Sequence, residues 1–185
     1  MKATLLSATT AIAFLAAASP AEAGRVTIGS SLARSCYEAA EARRSDVQTR
    51  RTCDLALAEE ALTQHDLTGT HVNRGIIWML SGDLDMADRD FNRAIALDPD
   101  EPEAWLNKGI SQLKRGNNRE ALQLIEKSID LRTRKPDVAF YMRGIAHEAT
   151  GNVRAAYADL RRARVLAPKW SLPAVELRRY RVSTR

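Results

Sequence analysis

The chain has 185 residues, with 28 Lys and Arg, 23 Asp and Glu, three His and two Cys, for a formal net charge of +5. An apolar share of 45% excludes a disordered chain, nine Gly and six Pro exclude collagen-like and Gly/Pro-rich classes, and two cysteines exclude a disulfide-dense scaffold. Aromatic residues make up only 5% while Ala, Leu, Arg and Asp are abundant, a mix that favours helices over a β-sandwich.

The first segment, MKATLLSATTAIAFLAAASPAEAG, reads as an address. Lys2 supplies a short positive region, an apolar stretch is densest from Ala11 to Ala18, and Pro20 precedes the small-x-small site Ala21-Glu22-Ala23. This layout predicts a secretory signal peptide over residues 1–23, cleaved before Gly24. The run is short for a membrane anchor, which needs roughly 20 apolar residues. The expected compartment is therefore the periplasm or the exterior, with no transmembrane segment after removal of the leader.

The remainder repeats. Gly75, Gly109 and Gly144 are 34 and 35 residues apart. At fixed offsets after each stand a second glycine (Gly82, Gly116, Gly151), an alanine (Ala87, Ala121, Ala156) and a large apolar residue (Phe91, Ile125, Leu160). Ala94, Ser128 and Ala163 follow, then Pro99, Thr133 and Pro168. The first glycine and the alanine allow two helices to pass closely. The second glycine ends the first helix in a left-handed conformation. Asp83, Asn117-Asn118 and Asn152 are placed to cap the next helix. Each copy is predicted to be a pair of antiparallel helices joined by a tight turn.

On these residues the chain resembles the tetratricopeptide-repeat family, whose pattern is W-x2-L-G-x2-Y, then A-x3-F, then A and P. Ala87, Phe91, Ala94 and Pro99 carry the first copy. Trp105, Gly109, Ala121 and Ile125 carry the second, and Phe140, Gly144, Ala156, Leu160, Ala163 and Pro168 the third. His71 holds the usual Trp place, Trp78 replaces Tyr, and Arg74, Lys108 and Arg143 replace Leu. The resemblance implies an all-α solenoid. Its expected parts are a degenerate N-terminal hairpin over 24–67, repeats over 68–101, 102–136 and 137–169, and a capping helix and tail over 170–185. Helices are expected near 31–43 and 47–64, the second capped by Asp46, and a last one from Trp170 to Arg181.

Cys36 and Cys53 lie at similar distances on either side of the turn near Ser45-Asp46. Antiparallel helices bring them opposite each other, so an oxidising compartment predicts a disulfide. His65, His71 and His147 lack a second His or Cys at helical spacing, so no metal site is expected. Asp83, Asp85, Asp88 and Asp90 imitate a calcium loop, but Ala87, Asp88 and Ala94 occupy places that need other residues. They read instead as acids in the first turns of a helix. No phosphate loop, nucleophile or paired-carboxylate arrangement stands out, so neither enzymatic activity nor a cofactor is expected.

The surface remains as the functional candidate. By resemblance, the first helix of each copy lines a concave groove. The partner-binding residues would be Val72, Asn73, Ile76, Leu106, Asn107, Ile110 and Tyr141. The two asparagines suit an extended peptide backbone or, alternatively, bonding within the array. Some members of the family clamp acidic chaperone tails with Lys, Asn and Arg, but the corresponding places here hold Val72, Ile76, Asn107, Val138 and Met142. A mainly apolar groove suits an apolar segment. The run Ile76-Ile77-Trp78-Met79-Leu80 is apolar all round, which calls for cover by the N-terminal hairpin or by a partner.

The expected function is a non-catalytic scaffold that binds a polypeptide segment or envelope protein. The alternative is electrostatic attachment to an anionic envelope surface through Arg178, Arg179 and Arg181. Residues 151–185 carry nine basic and two acidic residues, a balance of +7, against −2 for residues 24–150. Nucleic-acid binding is suggested only by the sequence pI of about 9.5 and has no reading motif behind it.

Overall fold

The structure is a computed structural model that describes residues 31–180; the expected leader and Arg181 lie outside that range. Among the described residues there are nine helices: α1 (Leu32–Glu41), α2 (Val47–Glu59), α3 (Gln64–Leu80), α4 (Leu84–Leu97), α5 (Pro102–Arg115), α6 (Asn118–Asp130), α7 (Pro136–Ala149), α8 (Val153–Leu166) and α9 (Ser171–Leu177). The most extensive contacts pair α3 with α4, α5 with α6, and α7 with α8. Each pair also packs on the next. α1, α3, α5 and α7 touch in succession, while the even-numbered helices make no comparable contact with one another. The odd helices thus form an inner layer and the even helices an outer one, as the repeat pattern predicts.

Local chemistry sets the boundaries. Asp46, Asp83 and Asn152 cap α2, α4 and α8 through their side chains. Asn117 does not: its amide nitrogen donates to Gln112 Oε1 instead, at 2.7 Å. Gly82, Gly116 and Gly151 have φ of 88°, 81° and 85°, the left-handed turn that closes each pair. The hairpin helices are shorter than expected. Glu60 leaves α2 in an extended conformation and its carboxylate accepts from the free N–H groups of Leu32 and Ala33, at 2.6 and 3.0 Å. Capping the start of α1 in this way ends α2 several residues early. The last helix also stops short, at Leu177.

The first glycine of each copy lies directly on the large apolar residue that follows it. A Cβ added to Gly75 would stand 2.5 Å from the Phe91 ring, and one on Gly109 2.6 Å from Ile125. At Gly144 the nearest atom, of Leu160, would be 3.1 Å away. Phe91, Ile125 and Leu160 are fully buried there. The apolar run on α3 is covered by the hairpin, because Ile77 is buried among Cys36, Ala39, Ala40 and Cys53, with Ile76 alongside.

Candidate binding groove

The inner layer presents α3, α5 and α7 side by side, and the seven expected groove residues divide into two sets. Val72, Leu106 and Tyr141 are only 5%, 2% and 9% exposed, so they do not present a surface. They are the joints between copies. Val72 packs with Ala94 and Ala104, and Leu106 with Ile125 and Ala139. Tyr141 lies against Leu160, Ala163 and the Trp170 ring, centroid to centroid 4.7 Å. Each is covered because the next inner helix places a small side chain, or an aromatic one, over it.

Asn73, Ile76, Asn107 and Ile110 remain partly exposed. Ile76 borders three apolar clusters and Ile110 two, so both form floor as well as packing. Half-buried Leu113, Val138, Met142 and Ile145 extend the apolar floor. Asn107 donates to the carbonyl of Glu103 in its own helix, at 2.8 Å. The Asn73 amide makes no side-chain hydrogen bond among the described residues. Glu41, at the end of α1, reaches Lys135, at the start of α7, across 3.2 Å and 94 positions of sequence. The hairpin thus touches the third copy as well as the first.

Charge is concentrated within the helix pairs and at the joints between them rather than on the groove floor. Arg74 holds Asp90 through two guanidinium nitrogens, each at 2.8 Å, and His71 Nδ1 lies 2.9 Å from the same carboxylate. Burial would raise the Asp90 pKa, but these partners bring it below the ordinary value. Arg143 and Asp159 repeat the arrangement in the third copy, at 2.7 and 2.8 Å. The middle copy has Lys108 and Leu124 at the same places. The sequence carried this signal: an arginine just before the glycine, and an aspartate just before the large apolar residue. The acids of α4 are likewise tied to neighbours. Asp88 accepts from Ser111, Gln112 and Arg115, and Asp85 from Arg115.

A second feature not anticipated from sequence lies where α6 joins α7. Glu103 accepts from the Thr133 hydroxyl and the Arg134 N–H, and the Arg134 guanidinium pairs with both Glu101 and Glu103. Burial, helped by the neighbouring Glu103 carboxylate, raises the Glu101 pKa to about 7. Burial would also raise Glu103, but its hydrogen bonds to Glu101, Arg134 and Thr133, with the charge of Arg134, bring it below the ordinary value.

Of the basic set, Arg178 is exposed, whereas Arg179 is committed to Glu148 and Glu176. The Sγ atoms of Cys36 and Cys53 stand at disulfide distance, 2.07 Å. Among the described residues no group of three His, Cys, Asp or Glu is placed to hold a metal ion, and no helix is long and apolar enough to cross a membrane.

Comparison with known proteins agrees with this architecture. Profiles of the tetratricopeptide repeat match residues 91–123 and 108–171. No curated protein matches the sequence. Among solved structures, the first TPR of Spaghetti (RPAP3), bound to the HSP90 peptide SRMEEVD, aligns over 60% of this chain and 90% of its own, at 21% identity and TM-score 0.57. MamA 41-end from Desulfovibrio magneticus RS-1 aligns over 79% and 80%, at 20% identity and TM-score 0.62. PilW, a type IV pilus biogenesis factor, aligns over 80% and 66%, at 18% identity and TM-score 0.63. At these identities the likeness is one of fold.

Proposed function

We propose, from the premise that this chain belongs to the tetratricopeptide-repeat family, that it is a non-catalytic scaffold which binds an extended, mainly apolar polypeptide segment in the groove of its inner layer. The observation that carries the reading is the pattern of partly exposed Ile76, Ile110, Met142 and Ile145 along that layer, flanked by the uncommitted amide of Asn73. A rigid concave surface needs little ordering on binding. The peptide held by the RPAP3 repeat is acidic. In this chain Val72, Val138 and Met142 replace the cations of such a clamp, so an apolar ligand fits better. The protein works outside the cytoplasm on this reading, where its leader would place it and where Cys36 and Cys53 would stay oxidised.

Changing Ile76 and Ile110 together to Asp is expected to weaken capture of a crosslinked envelope partner at least about tenfold, since each buried charge costs more than 1 kcal/mol. Helical content and Tm must be measured in parallel, because both residues also pack. Unchanged capture by a folded variant would remove the groove from consideration. The alternative, electrostatic attachment of the basic end to an anionic envelope surface, rests on Arg178 among the described residues, because Arg179 is already paired.

A further inference from the structure

The C-terminal end of the array carries a surface that the groove reading does not use. α9 occupies the place of a fifth inner helix. Thr70, Ala104, Ala139 and Pro173 recur at steps of 34, 35 and 34 residues, and all four are buried, Ala104 and Ala139 against the preceding copy. Two positions later, Val72, Leu106 and Tyr141 are buried by the following copy, but Val175 is 42% exposed. Leu166, the counterpart of half-buried Leu97 and Leu131, is 39% exposed. The other inner helices each pair with an outer one, whereas α9 lies mainly on α8, which precedes it, and no outer helix follows it among the described residues. Two apolar side chains thus stand more open at this end than their counterparts in the interior copies.

The charge around them has one sign. Arg161, Arg164, Lys169 and Arg178 are exposed on α8, on α9's flank and on the turn between them. The two acids of this segment are already engaged, Asp159 by Arg143 and Glu176 by Arg179. Residues 181–185 add two more arginines. A second copy meeting this face with its own would oppose two segments of +7 each.

We propose that the C-terminal face of the array, centred on Leu166 and Val175, docks an acidic amphipathic helix of a partner protein, which continues the solenoid as the next helix. The apolar stripe of that helix covers these two side chains, as the following unit covers the counterparts of Val175 at the three internal joints. Its acidic flank meets Arg164, Lys169 and Arg178. The association is electrostatically steered and weakens with salt.

The test uses the full chain and three probes. These are a synthetic helical peptide with a Leu/Ala stripe flanked by Glu, the same stripe flanked by Lys, and phosphatidylglycerol vesicles. The Glu-flanked peptide is expected to bind at least tenfold more tightly than the Lys-flanked one. Val175→Glu and, separately, the milder Leu166→Gln are each expected to weaken it several-fold. Arg178→Gln should reduce its salt dependence. Near-ultraviolet dichroism of the Tyr141–Trp170 contact checks that α9 stays docked in each variant. Equal binding of both peptides, or binding indifferent to Val175 and Leu166 in folded variants, overturns the proposal. So does binding of the vesicles without the Glu-flanked peptide, which would assign the face to a lipid surface. Ile76→Asp with Ile110→Asp should leave the peptide bound, so failure of the groove reading and of this one are told apart.

Discussion

The terminal units and the interior copies meet the same packing problem with different chemistry. In the interior, Gly75, Gly109 and Gly144 let an inner helix run past its partner for a further turn or more. One repeat before Gly75 the position is Glu41, and one repeat after Gly144 it is Arg178. α1 ends at Glu41 and α9 ends at Leu177, just before Arg178. An inner helix thus continues past that level only where glycine removes the side chain from the crossing. The shortened terminal helices need other fastenings. α1 is tied by Cys36–Cys53 and by the Glu60 carboxylate at its start. α9 is tied by Trp170 on Tyr141 and by Arg179 and Tyr180 on Glu148.

Removing the fastening of the first unit gives the largest expected effect. Replacing Cys36 and Cys53 together with Ala reopens a loop closed over 17 residues, which costs about 3 kcal/mol on chain-entropy grounds. Because the hairpin packs on α3 and reaches the third copy only through the exposed Glu41–Lys135 pair, the loss should be confined to α1, α2 and the adjoining part of α3. Hydrogen exchange should show faster exchange in residues 32–59 and unchanged protection in α5 to α8. Loss of protection throughout would mean that the hairpin nucleates the whole array. Mass analysis of natively exported protein gives the prior check, a mass two hydrogens below the dithiol.

The glycine crossing can be probed directly. Gly75→Ala drives a Cβ to 2.5 Å from a buried Phe91 ring that has no room to retreat, and should cost about 1–2 kcal/mol. At Gly144 the closest atoms are the Leu160 Cγ at 3.1 Å and the Ala156 carbonyl oxygen at 3.3 Å, a milder crowding that the gain in helix propensity, about 1 kcal/mol, largely offsets. Gly144→Ala should therefore be close to neutral. Urea midpoints of the two variants check the ranking, and equal losses would show that the crossing distance is not what selects glycine.

The fold was legible in the sequence because the repeat writes its geometry three times: the spacing of Gly75, Gly109 and Gly144 exposed the pairs, their turns and most of their caps. The groove was only half legible. Val72, Leu106 and Tyr141 share the helix face of Ile76 and Ile110, and which of them is buried depends on the side chain that the next copy brings, Ala104, Ala139 or Trp170. The ends of α1, α2 and α9 were less legible: α2 stops where Glu60 turns back to cap α1, and α1 and α9 stop at Glu41 and just before Arg178, where the interior copies have glycine. The buried pairs of Arg74 with Asp90 and Arg143 with Asp159 are local in pattern but read as ordinary surface charge until burial is known.

The smallest expected effect concerns the joint between the second and third copies, which the Arg–Asp pairs do not reach. It rests on Glu101, Glu103, Thr133 and Arg134 instead. Burial and the adjacent Glu103 carboxylate raise Glu101 from 4.5 to about 7 in the folded chain. Between those values the folded protein keeps a proton that the unfolded chain has released. Stability therefore falls as pH rises through this window. Glu103 acts in the opposite sense, since its pKa is lowered, but its contribution is lost only as pH falls below the ordinary carboxylate range. The two windows do not overlap, so a scan from pH 5 to pH 8 separates Glu101 from Glu103, and the Glu101→Gln variant separates it from the histidines. The expected drop in Tm is about 2–4 °C, the size of a change near 1 kcal/mol in a chain of this length. Glu101→Gln keeps the shape of the protonated acid and should flatten the profile, while Gly144→Ala should leave its slope unchanged. A level wild-type profile would mean that Arg134, exposed at the rim, holds Glu101 ionised, and that the joint is an ordinary ion pair.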